Sequence, residues 1–340
     1  MKALVQFLAG LGVMLIAVLP LSAQDLHFSQ FYNSPLLTNP ANTGFIPDGN
    51  YRLGVNYRDQ WSSIPVPYKT MSAFGDFQLL RDRLEYGWLG VGGVILRDVA
   101  GAGDLTSTKA YGSIAYHQLL GQSSLLSLGF NGGIANKHVD ITKLTFGDQW
   151  NGQFFDAAVP TAEPIQNNHV NYFDLQVGMN YAYFPTENIY VNVGVSVQHL
   201  NHPRESFYNT DNEIARRYIG FLNASIKLSD KVIVNPGGYY SWQTKSTELV
   251  LGANVAYNLS GDGVQQLYGG AYFRAHDAAI LMVGYQLQQV KLNFSYDVTT
   301  SSLAVNNGRQ GAYEIGLVYT GLYTNRSFSS ARRSTICPSF

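Results

Sequence analysis

The residues best suited to chemistry are few and poorly arranged for it. His199 and His202 stand three apart and His138 lies near Asp140, but a metal site needs a third ligand or helical geometry to converge such pairs, and the sequence offers neither. The glycine clusters Gly90 to Gly93 and Gly101 to Gly103 have no helix after them, so they read as strand and turn glycines rather than as a phosphate cradle. No Gly-x-Ser-x-Gly nucleophile elbow occurs. The one cysteine, Cys337, excludes an internal disulfide framework and a cysteine-based metal site. The expectation is therefore a protein with no catalytic residue, no metal and no cofactor. What remains are large apolar groups in connecting segments: Trp61, Pro65 and Tyr68 in one, Trp150, Phe154 and Phe155 in another. They either pack on one another to stiffen their loops or form a docking surface for a protein, the use to which exposed aromatic clusters are put.

The elements that must carry those loops are strands. In "KLNFSYDVTT", residues 291 to 300, Leu292, Phe294, Tyr296 and Val298 alternate with Lys291, Asn293, Ser295 and Asp297, and a period of two puts the sets on opposite faces. The apolar face meets either a core or lipid. Composition favours lipid. Charged residues are 13% of the 340, against about 25% in soluble domains, while the apolar share of 46% is ordinary, and Gly, Tyr, Asn, Ser and Gln fill the difference. Such a surface suits a barrel with lipid outside and a neutral polar lumen. A net charge of -1 gives no argument for a nucleic-acid partner.

Similar alternating runs predict fourteen strands, beginning near Tyr51, Thr70, Tyr86, Ser107, Ser124, Asn171, Ile189, Arg217, Lys231, Thr247, Gln266, Ala279, Lys291 and Gly311, an even number as in single-chain bacterial barrels. Connections after even strands are short, such as "LLGQ", "FPTE" and "LSD"; several after odd strands are long, notably residues 137 to 170 and "HLNHPRESFYNTDNEIA". That parity is expected of periplasmic turns and outer loops. The reading is an all-β transmembrane barrel over residues 51–323.

Residues 1–23 pair Lys2 with an apolar run and Leu21-Ser22-Ala23, the pattern of a secretory signal peptide. Residues 24–50 contain three prolines and precede the first strand, so they are expected to be irregular and to tuck into the lumen as a plug. A tail, residues 324–340, carries Arg326, Arg332 and Arg333 and no acid, and is placed in the periplasm together with the N-terminus.

"HFSQFYNSPLLTNPANTGF", "YRLGVNYRDQW", "GVGGVILRDVAGAGDLTSTKAYGSIAYH", "DITKLTFGDQW" and the ending "CPSF" together resemble the PorP/SprF family of outer-membrane proteins of the type IX secretion and gliding apparatus. The resemblance covers nearly the whole mature chain. It implies a Gram-negative outer membrane, lipid around the barrel, secretion and motor-associated components as partners, and a secreted cargo or adhesin with a type IX sorting domain. A different class stays open: a passive channel for small hydrophobic solutes, since barrels of that kind also carry an N-terminal plug with an Asn-Pro-Ala element, here Asn39, Pro40 and Ala41.

Overall fold

The computed structural model describes residues 28–323 except positions 63–65, 82, 157, 164–166, 209, 262 and 306. The expected signal peptide, the basic tail, Cys337 and Pro65 lie outside the described residues. Strands β1 (Tyr51–Gln60), β2 (Tyr68–Leu79), β3 (Gly87–Ala100), β4 (Leu105–Leu119), β5 (Ser124–His138), β6 (His169–Thr186) and β7 (Ile189–Gln198) are followed by β8 (Arg217–Lys227), β9 (Val232–Gln243), β10 (Ser246–Asn258), β11 (Gln265–Arg274), β12 (Ala278–Leu287), β13 (Val290–Thr299) and β14 (Gln310–Gly321). Each begins within two residues of its expected start. Every strand pairs antiparallel with the next, and β14 returns to β1 in register from Tyr51↔Gly321 to Gln60↔Ala312, which closes the ring. Closure leaves no open edge, the condition a sheet must meet in hydrocarbon.

The faces divide as the alternation requires. On β13, Leu292 is 50% and Phe294 43% exposed, whereas Asn293 and Ser295 are buried. Leu251, Leu281 and Val283 are likewise exposed on β10 and β12. With apolar side chains outward along the strands, the outer surface is the lipid face of a membrane barrel. Among the described residues no helix is long and apolar enough to cross a membrane. One end of the barrel carries short connections, down to the two residues between β12 and β13; the other carries residues 139–168 and 199–216. By the loop-length rule the long-loop end faces outward.

Residues 28–50 lie against the inner wall. A helix of four residues, α1 (Pro35–Thr38), sits between 3-10 turns at Phe31–Asn33 and Pro40–Asn42. Ser29 hydrogen-bonds Asp297 and Arg58, near the outer ends of β13 and β1. Further along, Leu36 O accepts from Asn131, Thr43 O contacts the His117 ring, and Asn50 N donates to Gly321 O at the short-turn end. The segment thus runs through the lumen from outside inward, so its first described residues are at the outer end. The strands start and finish at the short-turn end, and the described chain reaches β1 by descending through the barrel first.

Candidate functional site

The outer aromatics form two separate pairs, one across the connection from β1 to β2 and one within the loop after β5. Trp61, the residue after β1, has φ of 60° and packs on Tyr68, the first residue of β2, at 5.1 Å between ring centroids. Trp150 meets Phe155 edge to face, also at 5.1 Å, across an isolated bridge. The second pair stands on a built loop. Asp148 accepts from Ala162 N and Thr161 Oγ1, and Gln149 accepts from Phe146 N while donating to Val159 O at 2.8 Å. The Ala162 N–H, then the Thr161 hydroxyl, hold the Asp148 carboxyl below its ordinary range. Trp150, Phe154 and Phe155 remain more than half exposed, so the loop is ordered by polar bonds while its rings face solvent. The pairs do pack, and Tyr68, Trp150, Phe154 and Phe155 keep exposed apolar surface while Trp61 is half-buried.

In the lumen, Asn39, Pro40 and Ala41 come together on a bed of glycines. Asn39 is fully buried; its Nδ2 donates to Asn180 Oδ1 at 2.8 Å and Val195 O at 3.0 Å, and its Oδ1 accepts from Ala41 N. A Cβ on Gly129 would lie 2.3 Å from Ala41 N, one on Gly178 2.0 Å from Asn39 Oδ1, and one on Gly90 1.9 Å from Thr43 O. Those glycines of β3, β5 and β6 are there because the segment's backbone approaches closer than any side chain allows. An irregular buried segment must also satisfy its own N–H and C=O groups. Strand side chains do so: Gln198 donates to Leu37 O, Ser196 to Thr38 O, Trp88 to Gly44 O and Gln78 to Ile46 O, and Asp76 accepts from Gly44 N.

The outer half of the lumen holds an element that sequence reasoning missed. Arg58, Arg217 and Arg274 interleave with Glu248, Asp297 and Glu314, all six buried. Asp297 lies 3.2 Å from Arg58 and 3.1 Å from Arg274; Glu248 lies 3.2 Å from Arg274 and 3.5 Å from Arg217; Glu314 pairs with Arg58. Three cations face three anions, which offsets the desolvation that isolated buried charges would suffer. The cluster also grips the segment, since Glu314 accepts from the N–H groups of Ser29 and Gln30. The neutral lumen expected from composition is thereby corrected. The signal lay in the alternation: each of these residues falls on the inward parity of its strand, and charge is scarce in this chain.

The candidate metal pairs do not assemble: His199 Nδ1 contacts Asp174 at 3.0 Å, and no group of three or more metal-ligating side chains occurs among the described residues.

The family model for "Type IX secretion system membrane protein PorP/SprF" matches residues 21–319. The chain belongs to the PorP/SprF family. No curated protein matches it. Among solved structures, this PorP/SprF barrel is similar to the Pseudomonas putida toluene transporter TodX, with a TM-score of 0.51, 10% identity and coverage of 87% of this chain and 94% of that one. It is also similar to the CymD monoaromatic hydrocarbon channel, with a TM-score of 0.50, 12% identity and coverage of 86% and 93%. At such identity these likenesses concern the fold alone.

Proposed function

We propose that this PorP/SprF protein is a non-enzymatic outer-membrane component of type IX secretion. It holds a secreted cargo at its outer loops, with residues 28–50 acting as a plug that keeps the lumen closed. The observation that carries the reading is the loop after β5, whose polar scaffold leaves Trp150, Phe154 and Phe155 facing out, with the half-buried Trp61 packed on exposed Tyr68 at the outer ends of β1 and β2. Exposed aromatic anchors of this kind dominate protein contacts. Pro65 belongs to the same proposed surface by its position in the first outer loop. Secretion or motor-associated components would meet the short-turn end and the basic tail.

Replacing Trp61, Trp150 and Phe154 with Ser leaves every strand intact. The triple variant is expected to reach normal levels in the outer membrane and to shed its cargo into the medium, each ring contributing on the order of 1 to 2 kcal/mol to the contact. Normal cargo retention by a normally assembled variant would rule out these loops as the docking surface.

A second reading, passage of small hydrophobic solutes, fits a barrel whose fold is similar to that of hydrocarbon channels. The six buried charges and the amide groups bonded to the segment make the lumen a poor path for such solutes. Uptake of toluene by cells expressing this protein alone would support that reading over the first.

A further inference from the structure

Two amides on neighbouring strands of the inner wall have no partner. Asn192 of β7 and Asn223 of β8 stand directly opposite each other in the ladder, both on the inward parity. Neither side chain makes a hydrogen bond among the described residues, although Asn192 is only 7% exposed. A buried amide left unbonded is costly. The polar groups beside them are satisfied by one another: Ser225 donates to Asn235 at 2.6 Å, Asn235 to Asn254 at 2.9 Å, and Asn254 to the Tyr272 hydroxyl at 2.9 Å. The unbonded pair is therefore an exception in a wall that otherwise closes its own hydrogen bonds.

Both amides line a cavity of about 350 Å³ between the N-terminal segment and the inner wall. Two stacked aromatic pairs line it as well: Phe45 with Tyr190, 6.4 Å between ring centroids, and Tyr32 with Tyr272, 6.0 Å. The cavity opens toward the short-turn end. There it is bordered by Pro47 and Asp48, which are exposed, and a second cavity of about 350 Å³ shares those two residues and extends to Gln288 and Gln289 in the turn between β12 and β13. In the other direction it ends on Phe31, Phe221 and Tyr272. Ile219, Tyr239 and Val250, further members of the same apolar cluster, are not part of its lining. The space is thus a blind pocket, entered from the periplasmic side and closed toward the outside.

We propose that this blind pocket binds an uncharged sugar ring presented from the periplasm. Each amide offers both a donor and an acceptor, and a sugar hydroxyl is itself both, so neighbouring hydroxyls can answer Asn192 and Asn223 together. The C–H faces of the ring suit aromatic side chains, whose faces are apolar and weakly negative. The volume lies within the range of ligand pockets. Other ligand classes fit less well. A hydrocarbon would leave the two amides unbonded. A strongly charged ligand gains little, since Asp48 and Lys291, opposite in sign, both border the cavity. A peptide strand has no sheet edge to join, because the ring of strands is closed.

The test uses the full chain purified in lauryldimethylamine oxide, a detergent without a sugar head, and titrates diacetylchitobiose, maltose and trialanine into it by calorimetry. At least one of the two disaccharides is expected to bind. Asn192→Leu removes no hydrogen bond of the fold, so it should leave the urea midpoint of the barrel unchanged while weakening sugar binding about fivefold, the factor that one hydrogen bond of about 1 kcal/mol supplies. Asn136→Leu, on the outer face of β5, should alter nothing. Should Asn192→Leu fail to assemble, Asn223→Leu carries the same expectation. Retention of the barrel on isolated peptidoglycan, released by the disaccharide, would assign the sugar to the wall glycan; disaccharide binding without retention would assign it to a free saccharide. No binding of either disaccharide, binding that an assembled amide variant leaves unchanged, or tighter binding of trialanine would overturn the proposal.

Discussion

Glu314 shows how much one buried side chain can hold in this lumen. Its carboxylate pairs with Arg58 and accepts from the N–H groups of Ser29 and Gln30, so truncating it leaves Arg58 with Asp297 as its one remaining carboxylate partner and strands two backbone donors. Glu314→Ala is expected to cost about 3 to 5 kcal/mol, the range for breaking one partner of a buried pair. The double change Arg58→Met with Glu314→Met should cost less, since it removes both charges. Urea midpoints of the SDS gel shift of the folded barrel check the order, and a double variant less stable than the single one would contradict it. Residues of this kind were the least legible part of the sequence. Asp297 could be placed on the polar face of its strand, but its partners Arg58 and Arg274 come from β1 and β11, the first brought near by closure of the ring and the second by inward curvature across β12. Trp61, Trp150, Phe154 and Phe155 were legible as residues because they sit in loops, where an apolar ring has no strand to explain it, whereas Tyr68 proved to open β2. That Trp61 would pack on Tyr68 and Trp150 on Phe155 was one of two readings left open.

At the scale of elements the strands were almost wholly legible, because lipid on one face and polar groups on the other impose a period of two that no core packing blurs. The N-terminal segment was legible as irregular from its prolines, but its direction of travel was not, since no local pattern encodes which end of a lumen a chain enters first. Its seating predicts an outcome. Gly129→Val places a side chain where Ala41 N now lies, which should displace the Asn39–Ala41 turn without touching the outward face of β5. If the segment acts as a plug, this variant should conduct ions in a planar bilayer at voltages where the unaltered protein does not. Equal conductance from the two proteins would show that the segment does not close the lumen, or that the turn yields without leaving it.

For the whole molecule, orientation follows from the two unequal ends. In a Cys337→Ser background, Asn151→Cys in the long connection after β5 should react with an impermeant maleimide on intact cells, and Ser229→Cys in the short turn after β8 should react only after lysis; the reverse pattern would invert the barrel. The segment's placement has a further meaning for how the molecule is made. Ser29 and Gln30 bond to β13 and β14, Ser29 bonds also to Arg58 of β1, and Asn56 of β1 donates to Asn33 O, so the first residues of the described chain span the seam where its first and last strands meet. That seam joins the most distant parts of the sequence and is the slowest contact to form by chance. With the segment laid across it from inside, β1 and β14 are bonded to one common template as well as to each other. Ring closure then becomes the step at which a barrel lacking its N-terminal residues should stall, as a species open along a single edge.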